Sequence, residues 1–574
     1  MRLLLPTFLI GAVCASAQTN TADTYLASES PIAKTGLLAN IGSSGAKSQG
    51  AKPGIVIASP SHSNPDYLFT WTRDSALVFQ AIIDQFTLGI DTSLRSQVDN
   101  FVASQKIIQQ VSNPSGSVSS GGLGEPKFNI DQTAFTGAWG RPQRDGPALR
   151  ANALITWANF LISQSNTSYV ANTLWPIIKL DLDYVASFWN QSTFDLWEEV
   201  NSSSFFTTAV QHRSLRQGAA LATAIGQTSV ASGYTTQAAN LLCFLQSYWN
   251  AAGYMTANTG GGRSGKDANT VLASIHTFDP AAGCDAVTFQ PCSDRALANL
   301  VTYVNAFRSI YTINSGIATN VGVATGRYPE DGYMGGNPWY LTTLAVAEQL
   351  YDALSVWKQQ GTLSVTAVSQ PFFAALSPGI SIGAYPSSTS TYTTLTAAVK
   401  NFADSFIAVV AKYTPSGGGL AEQYSRSNGA PVSAVDLTWS YAALLTTLGA
   451  REGVVPVSWG AKGLTVPSTC ERGGGGGGGT VAVTFKVQAT TTFGENIYVT
   501  GSVDALVNWS PDNALILSAA TYPIWSITIN LPASTSIEYK YIRKFNGAIT
   551  WESDPNRKFT TPAAGSFTLN DSWK

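Results

Sequence analysis

The sequence predicts a multidomain protein: a mainly helical body of α/α toroid type, followed by a small all-β sandwich. Three observations indicate this. Amphipathic helical segments recur through the first part of the chain without a fixed-period repeat. A run of seven glycines, Gly473–Gly479, then interrupts the sequence. Beyond it, short apolar stretches alternate with polar residues between turn signals, a pattern typical of β-strands.

Residues 1–17 have the pattern of a secretory signal peptide. Arg2 supplies the positive end, residues 3–13 the apolar core, and Ala15-Ser16-Ala17 an A-x-A cleavage site. The apolar core is too short to span a bilayer, and no later stretch reaches about 18 uninterrupted apolar residues. We therefore expect a secreted, extracellular protein without a membrane partner.

Residues 18–472 form the predicted helical body. Its long polar and Gly-rich connections, at 112–146, 252–292 and 313–337, are of a length that is usually functional in compact domains. The amphipathic segments lie at about 76–88, 94–111, 148–164, 174–190, 208–225, 236–250, 295–311, 338–358, 392–412 and 433–448.

The glycine run, residues 473–479, is predicted to be a linker, which as a flexible coil would span roughly 15 Å. In the tail, residues 480–574, apolar and polar residues alternate from Val481 to Val487, and similar alternation follows at 527–529 and 537–545. Short strands at this spacing predict a small sandwich.

The chain is poor in charge. Charged residues make up 12% of the 574 positions, the net charge is −2, and hydrophobic and aromatic residues make up 44% and 11%. An average soluble protein has about 25% charged residues. The balance excludes a nucleic-acid binder, which needs a basic patch, and the aromatic content excludes a disordered chain. It favours a secreted protein that handles a neutral polar ligand.

Four cysteines remain once Cys14 leaves with the signal peptide: Cys243, Cys284, Cys292 and Cys470. Four cysteines allow three disulfide connectivities. The local spacing favours Cys284–Cys292, which leaves Cys243–Cys470. A zinc site is the rival interpretation, but the C-x2-C pattern is missing and histidine is scarce, so no metal is expected.

Two motif matches are interpreted as chance. Gly379–Gly383 fits the nucleophile-elbow pattern but lacks the parallel-sheet context of that motif. Residues 260–266 nearly fit a phosphate-binding loop, but Asp267 stands where Ser or Thr is required.

Three segments combine Trp, Arg and carboxylates: residues 66–74 (DYLFTWTRD), 194–199 (FDLWEE) and 419–424 (GLAEQY). Each has a structural alternative, an Arg–Asp pair that opens a helix or a solvated Glu pair. In so uncharged a chain, however, carboxylates beside aromatic rings indicate a sugar site. Rings stack on pyranoses, and glycosidic cleavage needs two carboxyl groups.

Together with further motifs, these segments make the body resemble the fungal glucoamylases, inverting exo-acting glycoside hydrolases with an (α/α)6 barrel. The further motifs are Gly122–Phe128 (GLGEPKF), Trp139–Pro147 (WGRPQRDGP), Gly326–Asp331 (GRYPED) and Gly336–Trp339 (GNPW). The resemblance covers nearly the whole mature chain. It implies release of β-D-glucose from non-reducing ends of starch and maltodextrins, at α-1,4 and more slowly at α-1,6 bonds, by a monomer without a cofactor.

The resemblance also implies roles for single residues. Glu198 matches the general acid and Glu422 the general base, with about 6.5–9.5 Å expected between the carboxyl groups of an inverting pair. The acid is expected to need an environment that raises its pKa. The substrate-binding residues implied are Tyr67, Trp71, Arg73, Asp74, Trp139, Trp197, Glu199, Arg327, Trp339 and Gln423.

The tail resembles the starch-binding domain attached to such enzymes. Trp509 and Trp551 match the stacking pair of one glucan site, with Lys540 and Asn556 as polar partners. A second site matches Tyr522 and Phe493, where Phe stands in place of the family's frequent Tyr. Core packing is the structural alternative for any one of these rings.

Glycosylation sequons stand at Asn166, Asn190, Asn201, Asn508 and Asn570. A glycan at Asn508 would crowd the adjacent Trp509, so we expect Asn508 to be unoccupied and the other four to be acceptors.

Two rival functions remain open at this point. The first is a starch-binding protein with an inactive body, against which the presence of both Glu198 and Glu422 argues. The second is an endo-acting enzyme of the same chemistry, which would release mixed oligosaccharides rather than glucose.

Overall fold

A computed structural model describes residues 8–469, 480–532, 535–562 and 565–574. It divides into two compact units, Met1–Cys470 and Glu471–Lys574, and each has a hydrophobic core of its own. The glycine run, Cys470 and the first residues of the predicted signal peptide, Met1–Thr7, lie outside the described residues. The later part of the signal peptide falls within a helix that runs from Phe8 to Ala39.

The first unit is helical. Its helices of seven or more residues are α1 (Phe8–Ala39), α2 (Thr72–Thr87), α3 (Arg95–Ile108), α4 (Asp145–Ser163), α5 (Trp175–Phe188), α6 (Phe205–Ala224), α7 (Thr228–Leu245), α8 (Ala268–His276), α9 (Asp294–Ala306), α10 (Tyr340–Gln360), α11 (Gln370–Leu376), α12 (Ser390–Tyr413) and α13 (Thr438–Arg451).

Within the described residues these helices form a double ring. The inner ring consists of α2, α4, α6, α8, α10 and α13, each in contact with the next, and α13 closes the ring on α2. The outer helices α3, α5, α7, α9 and α12 each pack on the inner helix that precedes them, and α1 packs on α12 and α13. This is an (α/α)6 barrel, and the predicted fold class is confirmed.

The core of this unit lies between the two rings. Every inner helix contributes side chains with almost no exposure, such as Val78, Leu154, Val210, Leu344 and Leu444. Burial of each such side chain contributes about 1.5–3 kcal/mol. Packing of these side chains between the helices therefore stabilises the barrel.

Local signals begin and end the helices. The Asp267 side chain caps α8 by accepting a hydrogen bond from the backbone N–H of Asn269, and Thr389 caps α12 in the same way from Tyr392. Helix α10 ends at Gly361, whose φ of 65° is the left-handed conformation that favours glycine at a helix C-terminus.

Helix α8 corrects the prediction of a continuous loop over 252–292. It has only nine residues and follows the Gly-rich stretch 260–265, so its apolar periodicity was too short to be recognised as a helix. Helices α1 and α11 were also not predicted. The first overlaps the predicted signal peptide, and the second has only seven residues.

Among the described residues, one helix, α12, is long and apolar enough to cross a membrane by length and composition. Half of its most apolar stretch is buried inside the protein. Its apolar character therefore has a packing explanation, since it lies between α1 and α10.

Short antiparallel pairs decorate the barrel loops: β1 (Thr70–Trp71) with β2 (Lys127–Phe128), β3 (Thr193–Phe194) with β4 (Asn201–Ser202), β5 (Thr362–Val365) with β6 (Gly383–Pro386), and β7 (Gln423–Tyr424) with β8 (Pro431–Val432). Cys284 and Cys292 form a disulfide in the loop before α9, as predicted. The pairing predicted between Cys243 and Cys470 reaches a residue outside the described ranges.

The second unit is a β-sandwich. Its strands are β9 (Thr480–Gln488), β10 (Asn496–Gly501), β11 (Leu515–Ile516), β12 (Ser518–Thr521), β13 (Ile524–Pro532), β14 (Ser536–Phe545), β15 (Ala548–Trp551), β16 (Arg557–Thr560) and β17 (Ser566–Ser572). One sheet has the order β12-β13-β9-β17, with β17 parallel to β9, and the other has the order β11-β10-β14-β15, with β16 paired to β14.

The two sheets of this unit share one core. Val481, Val483 and Phe485 from β9 face Tyr539 and Tyr541 from β14, and the Phe485 and Tyr539 ring centroids lie 5.2 Å apart. The alternation read from the sequence is thus the inward face of β9.

Candidate active site

The candidate site is a cavity of about 640 Å³ at one end of the inner ring. The segments that line it precede the inner helices or form their first turns: 65–74 before and in α2, 135–140 before α4, 196–199 before α6, 327–339 before α10, and 437–439 at the start of α13. The N-terminal ends of five of the six inner helices therefore meet at one place, and their dipoles favour negative charge there.

The structure brings together eleven of the twelve residues predicted for catalysis and substrate binding in the body. Tyr67, Trp71, Arg73, Asp74, Trp139, Trp197, Glu198, Glu199, Arg327, Trp339 and Glu422 all line the cavity. Gln423 does not. It is fully buried behind Glu422, and its amide donates a 2.9 Å hydrogen bond to Glu422 Oε2.

Glu422 is the most enclosed carboxyl group of the cavity, with a residue exposure of 1%. It lies directly before β7, where the hydroxyl of Ser433 also donates to Oε2. Burial raises the pKa of Glu422, whereas the hydrogen bonds from Ser433, Gln423 and Tyr67 lower it. Burial has the larger effect and raises the pKa to about 7, so these donors limit its effect without cancelling it.

Glu198 occupies the tip of the β3–β4 hairpin with a φ of 67°, a left-handed conformation that is strained for a residue other than glycine. Asp195 holds this turn, because its buried carboxylate accepts from the backbone N–H groups of Glu199 at 3.0 Å and Val200 at 3.2 Å. The strain is thus maintained by a specific anchor that fixes the direction of the Glu198 carboxyl.

Arg73 forms an ion pair with Glu198. Its Nη2 lies 3.1 Å from Glu198 Oε1, its Nη1 3.2 Å from Asp145 Oδ2, and its Nε 3.6 Å from Asp74 Oδ2. Three carboxyl groups thus surround one buried guanidinium. Burial raises the pKa of Asp74 to about 6 against the opposing effect of Arg73. Asp74 therefore holds its proton to a higher pH than a free aspartate does.

Tyr67 lies between the two glutamates. Burial raises the pKa of its phenol, and Glu422 and Glu198 both add to that increase because both carboxylates lie close to the ring oxygen. Its hydroxyl is 2.8 Å from that of Tyr333. The phenol therefore stays protonated and can donate a hydrogen bond between the carboxyl groups.

Glu199 has a different environment from Glu198, its neighbour in sequence. Although burial opposes it, Arg327, Tyr328 and Arg263 lower the pKa of Glu199. Arg327 Nη2 lies 2.9 Å from Glu199 Oε1 and 2.6 Å from Asp331 Oδ1. Glu199 is thus held as a charged acceptor.

Aromatic rings form the walls. The Trp197 and Trp339 centroids lie 5.6 Å apart, and those of Trp71 and Trp139 lie 5.8 Å apart. The indole N–H of Trp197 donates a 2.8 Å hydrogen bond to Asp267, the cap of α8. Such rigid apolar plates beside hydrogen-bonding groups are suited to a pyranose, which has apolar faces and a polar edge.

Sequence reasoning missed several residues that line the cavity or contact its side chains. Lys127, whose Nζ lies 3.6 Å from the Trp139 centroid, and Asp145 stand inside motifs quoted above but were given no role. Tyr333, Ser433 and Trp439 could not be identified from the sequence, because the residues beside them do not indicate where their loops or helix lie in the fold.

In the sandwich, the predicted glucan-binding rings are exposed to different degrees. The Phe493 ring is fully exposed, Tyr522 is 52% exposed and Trp551 is 39% exposed, while Trp509 is half-buried. These values do not fit core packing for Phe493, Tyr522 or Trp551.

The two polar partners predicted for the first glucan site are already engaged. Lys540 is buried and its Nζ lies 2.5 Å from Asp554 Oδ1, and Asn556 donates a 2.8 Å hydrogen bond to Glu538.

The sequons also differ in accessibility. Asn166, Asn201 and Asn570 are exposed, whereas Asn190 is half-buried with its Oδ1 enclosed. The side chain of Asn508 lies outside the described part of the chain. Among the described residues, no group of three or more His, Cys, Asp and Glu side chains is arranged to hold a metal ion.

Comparisons with known proteins agree with this geometry. The sequence model of "Glycosyl hydrolases family 15" matches residues 31–449, and that of "Starch binding domain" matches residues 480–571. The chain is 65% identical to Glucoamylase-1 of Schizophyllum commune, over 98% of this chain and 97% of that protein. It is 48% identical to a glucoamylase of Neurospora crassa, over 96% of this chain and 94% of that protein. A solved family 15 glucoamylase from Hypocrea jecorina superposes with a TM-score of 0.78 at 48% identity, covering 96% of this chain and all of that one.

Proposed function

The chain belongs to glycosyl hydrolase family 15 and is a glucoamylase acting on starch, with a C-terminal starch-binding domain; from this premise we propose the residues and the stereochemistry of its reaction. Glu198 is the general acid and Glu422 the general base of an inverting hydrolysis that releases β-D-glucose. The observation that supports this is that both carboxyl groups line one cavity and both lie close to the phenol of Tyr67.

The acid step needs a proton near the glycosidic oxygen. As the general acid, Glu198 supplies that proton from the tip of the hairpin, where Arg73 Nη2 lies 3.1 Å from its Oε1. When the bond breaks, Glu198 gives this proton to the leaving oxygen, and Arg73 stabilises the carboxylate that remains.

The base step needs a charged carboxylate and an oriented water. Ser433, Gln423 and Tyr67 donate to Glu422 and stabilise its ionised form against the larger effect of burial, which raises its pKa to about 7. Glu422 takes a proton from the water as that water attacks the anomeric carbon from the face opposite the leaving group. Attack from that face inverts the configuration.

Substrate positioning follows from the remaining groups. Arg73, Asp74 and Arg327 hold the hydroxyls of the terminal glucose, and Trp71, Trp139, Trp197 and Trp339 form the walls. Glu199 accepts from the next sugar outward. A cavity that ends inside the barrel admits only a chain end, which makes cleavage exo-acting at non-reducing ends, faster at α-1,4 than at α-1,6 bonds.

The starch-binding unit keeps the enzyme on its polymer. We assign Trp509 and Trp551, with Lys540 and Asn556, to one glucan site, and Tyr522 and Phe493 to a second. The glycine run acts as the linker, and residues 1–17 direct secretion, so that the enzyme works outside the cell as a monomer on starch and maltodextrins.

The assignment is tested with Glu198→Gln and Glu422→Gln, which keep the side-chain volume and remove the titratable group. Each is expected to lower kcat on maltose by about 10²–10⁴-fold. Glu452→Gln, at an exposed position after α13, is the matched control and should leave kcat unchanged. Near-wild-type turnover in either active-site variant would contradict the role proposed for that residue.

Product analysis separates the rival functions. Glucose alone supports exo-cleavage, mixed oligosaccharides would indicate an endo-acting enzyme, and no product would indicate an inactive body.

A further inference from the structure

A second chamber lies at the other end of the inner ring. It has a volume of about 430 Å³, and all six inner helices contribute to its wall. Asp84 on α2, for example, follows Thr72, the first residue of the helix, by twelve positions, which places it about 18 Å along the helix axis. The chamber is therefore distinct from the catalytic cavity, which is built on the helix N-termini.

Two carboxyl groups one turn apart on α10 face this chamber. Glu348 is 9% exposed, and its Oε2 accepts hydrogen bonds from Thr446 at 2.6 Å and Thr447 at 3.3 Å. Asp352 is 4% exposed and makes no hydrogen bond to any other residue in the described ranges. A carboxyl group this deeply buried without a partner is rare and costly in a folded protein.

A cation on another helix shares the chamber. Arg213 on α6 is 6% exposed, and its Nη1 donates a 2.6 Å hydrogen bond to the backbone oxygen of His276. It forms no ion pair with a carboxylate of the described residues, and its Nε is buried without a partner. The chamber thus contains an unpaired acceptor and an unpaired donor that do not satisfy each other.

The rest of the chamber wall combines apolar and polar side chains, and its rim is open. Lys34, Asp84 and Asn152 are among its polar groups. Leu77 and Leu149 lie in the wall, while Leu88 and Ile90 at the rim are 39% and 56% exposed to solvent. A void of about 20 Å³ lies beside Trp439, which also lines the catalytic cavity. A void of that size holds about one water, so no sugar passes through it.

We propose that this chamber is a second binding site, for a small neutral polyol of monosaccharide size. Hydroxyl groups donate and accept, so one ligand can satisfy both the carboxyl pair and Arg213. Pockets of about 300–1,000 Å³ with apolar walls and a few polar groups are typical of small-molecule sites.

Protonation of the carboxyl pair supports a neutral ligand. Burial raises the pKa of Glu348 to about 7, and burial together with Glu348 raises that of Asp352 well above its usual value. Below pH 7 both groups therefore donate as well as accept hydrogen bonds.

The test uses the three histidines of the chain, His62, His212 and His276, of which only His276 lines the chamber. The full-length protein is labelled with ¹⁵N-histidine, and D-glucose is added while the imidazole resonances are recorded. We expect a saturable shift of His276 and none of His62 or His212. The same response is expected in Glu422→Gln, because the chamber is separate from the catalytic cavity.

Two substitutions at one position sharpen the test. Asp352→Asn keeps donor and acceptor groups and should retain the response. Asp352→Leu removes one or two hydrogen bonds to the ligand and should therefore weaken the apparent affinity for glucose about tenfold. If Asp352→Leu does not fold, the wild-type titration alone decides. No saturable His276 shift would overturn the proposal and leave a water-filled chamber, and a response to acetate or methylammonium but not glucose would overturn the ligand class.

Discussion

Ser433 offers the most direct control over the proposed base. Its hydroxyl donates to Glu422 Oε2, a carboxylate oxygen that is otherwise held by Gln423 at 2.9 Å in a residue with 1% exposure. A donor to the charged form lowers the pKa of a carboxyl group. Removing it in Ser433→Ala should therefore raise the pKa of Glu422.

The magnitude follows from the value of such a bond. A hydrogen bond to a charged group is worth about 1.5–3 kcal/mol, and one pKa unit corresponds to about 1.4 kcal/mol. Because Gln423 and Tyr67 remain as donors and relax toward the vacated oxygen, we expect a shift of about one unit. The acid limb of the kcat/KM profile reports the base of the free enzyme, so this limb should move to higher pH by that amount.

The assay is the pH dependence of kcat/KM for maltose in the wild-type enzyme, Ser433→Ala and Ser433→Thr. Threonine keeps the hydroxyl, so Ser433→Thr should leave the acid limb near its wild-type position. An unchanged limb in Ser433→Ala, or an equal shift in both variants, would refute the assignment of Glu422 as the titrating base.

Three further predictions concern stability and domain roles. Burial raises the pKa of Glu29, on α1, from 4.5 to about 7, so the stability it contributes is present below pH 4.5 and lost as the pH rises through 7. Between pH 4.5 and 7.5, the unfolding free energy of Glu29→Gln should fall by about 3 kcal/mol less than that of the wild type, as measured by denaturant titration. Equal losses would contradict this. Truncation after Arg472 should spare hydrolysis of soluble dextrins and impair attack on granular starch, since each unit has its own core; equal loss on both substrates would mean that the tail is structurally required. Phe485→Ala should destabilise the starch-binding unit by about 3–5 kcal/mol in the same titration, because its ring is fully buried between the sheets, and an unchanged midpoint would argue against that core.

Much of the fold could be predicted because its periodicity is local. The segment predicted at 208–225 is α6 at Phe205–Ala224, and the alternation from Val481 to Val487 is the buried face of β9. Helix α8 could not be predicted, since its nine residues follow a glycine-rich stretch and its position is fixed by contacts with α6 and α10. The order of the inner ring likewise depends on contacts between helices far apart in sequence.

The site divides in the same way. Residues inside dense motifs, such as Trp71, Arg73 and Glu198, could be identified because Trp, Arg and carboxylates seldom occur together in so uncharged a chain. Trp439, in the first turn of α13, and Ser433, which donates to Glu422, could not, because only the tertiary fold brings them to the site. The partners of Arg73 depend on tertiary geometry too, since Asp145 lies seventy-two residues away in sequence.

The central claim is that Glu198 and Glu422 act on opposite faces of the anomeric carbon. The most direct test is ¹H NMR of the glucose released from maltose in the first moments of the reaction, before mutarotation. We expect the β anomer of glucose to form first and the α anomer to appear later, through mutarotation. Initial release of α-glucose would show retention and would contradict the assignment of Glu422 as a base that activates water.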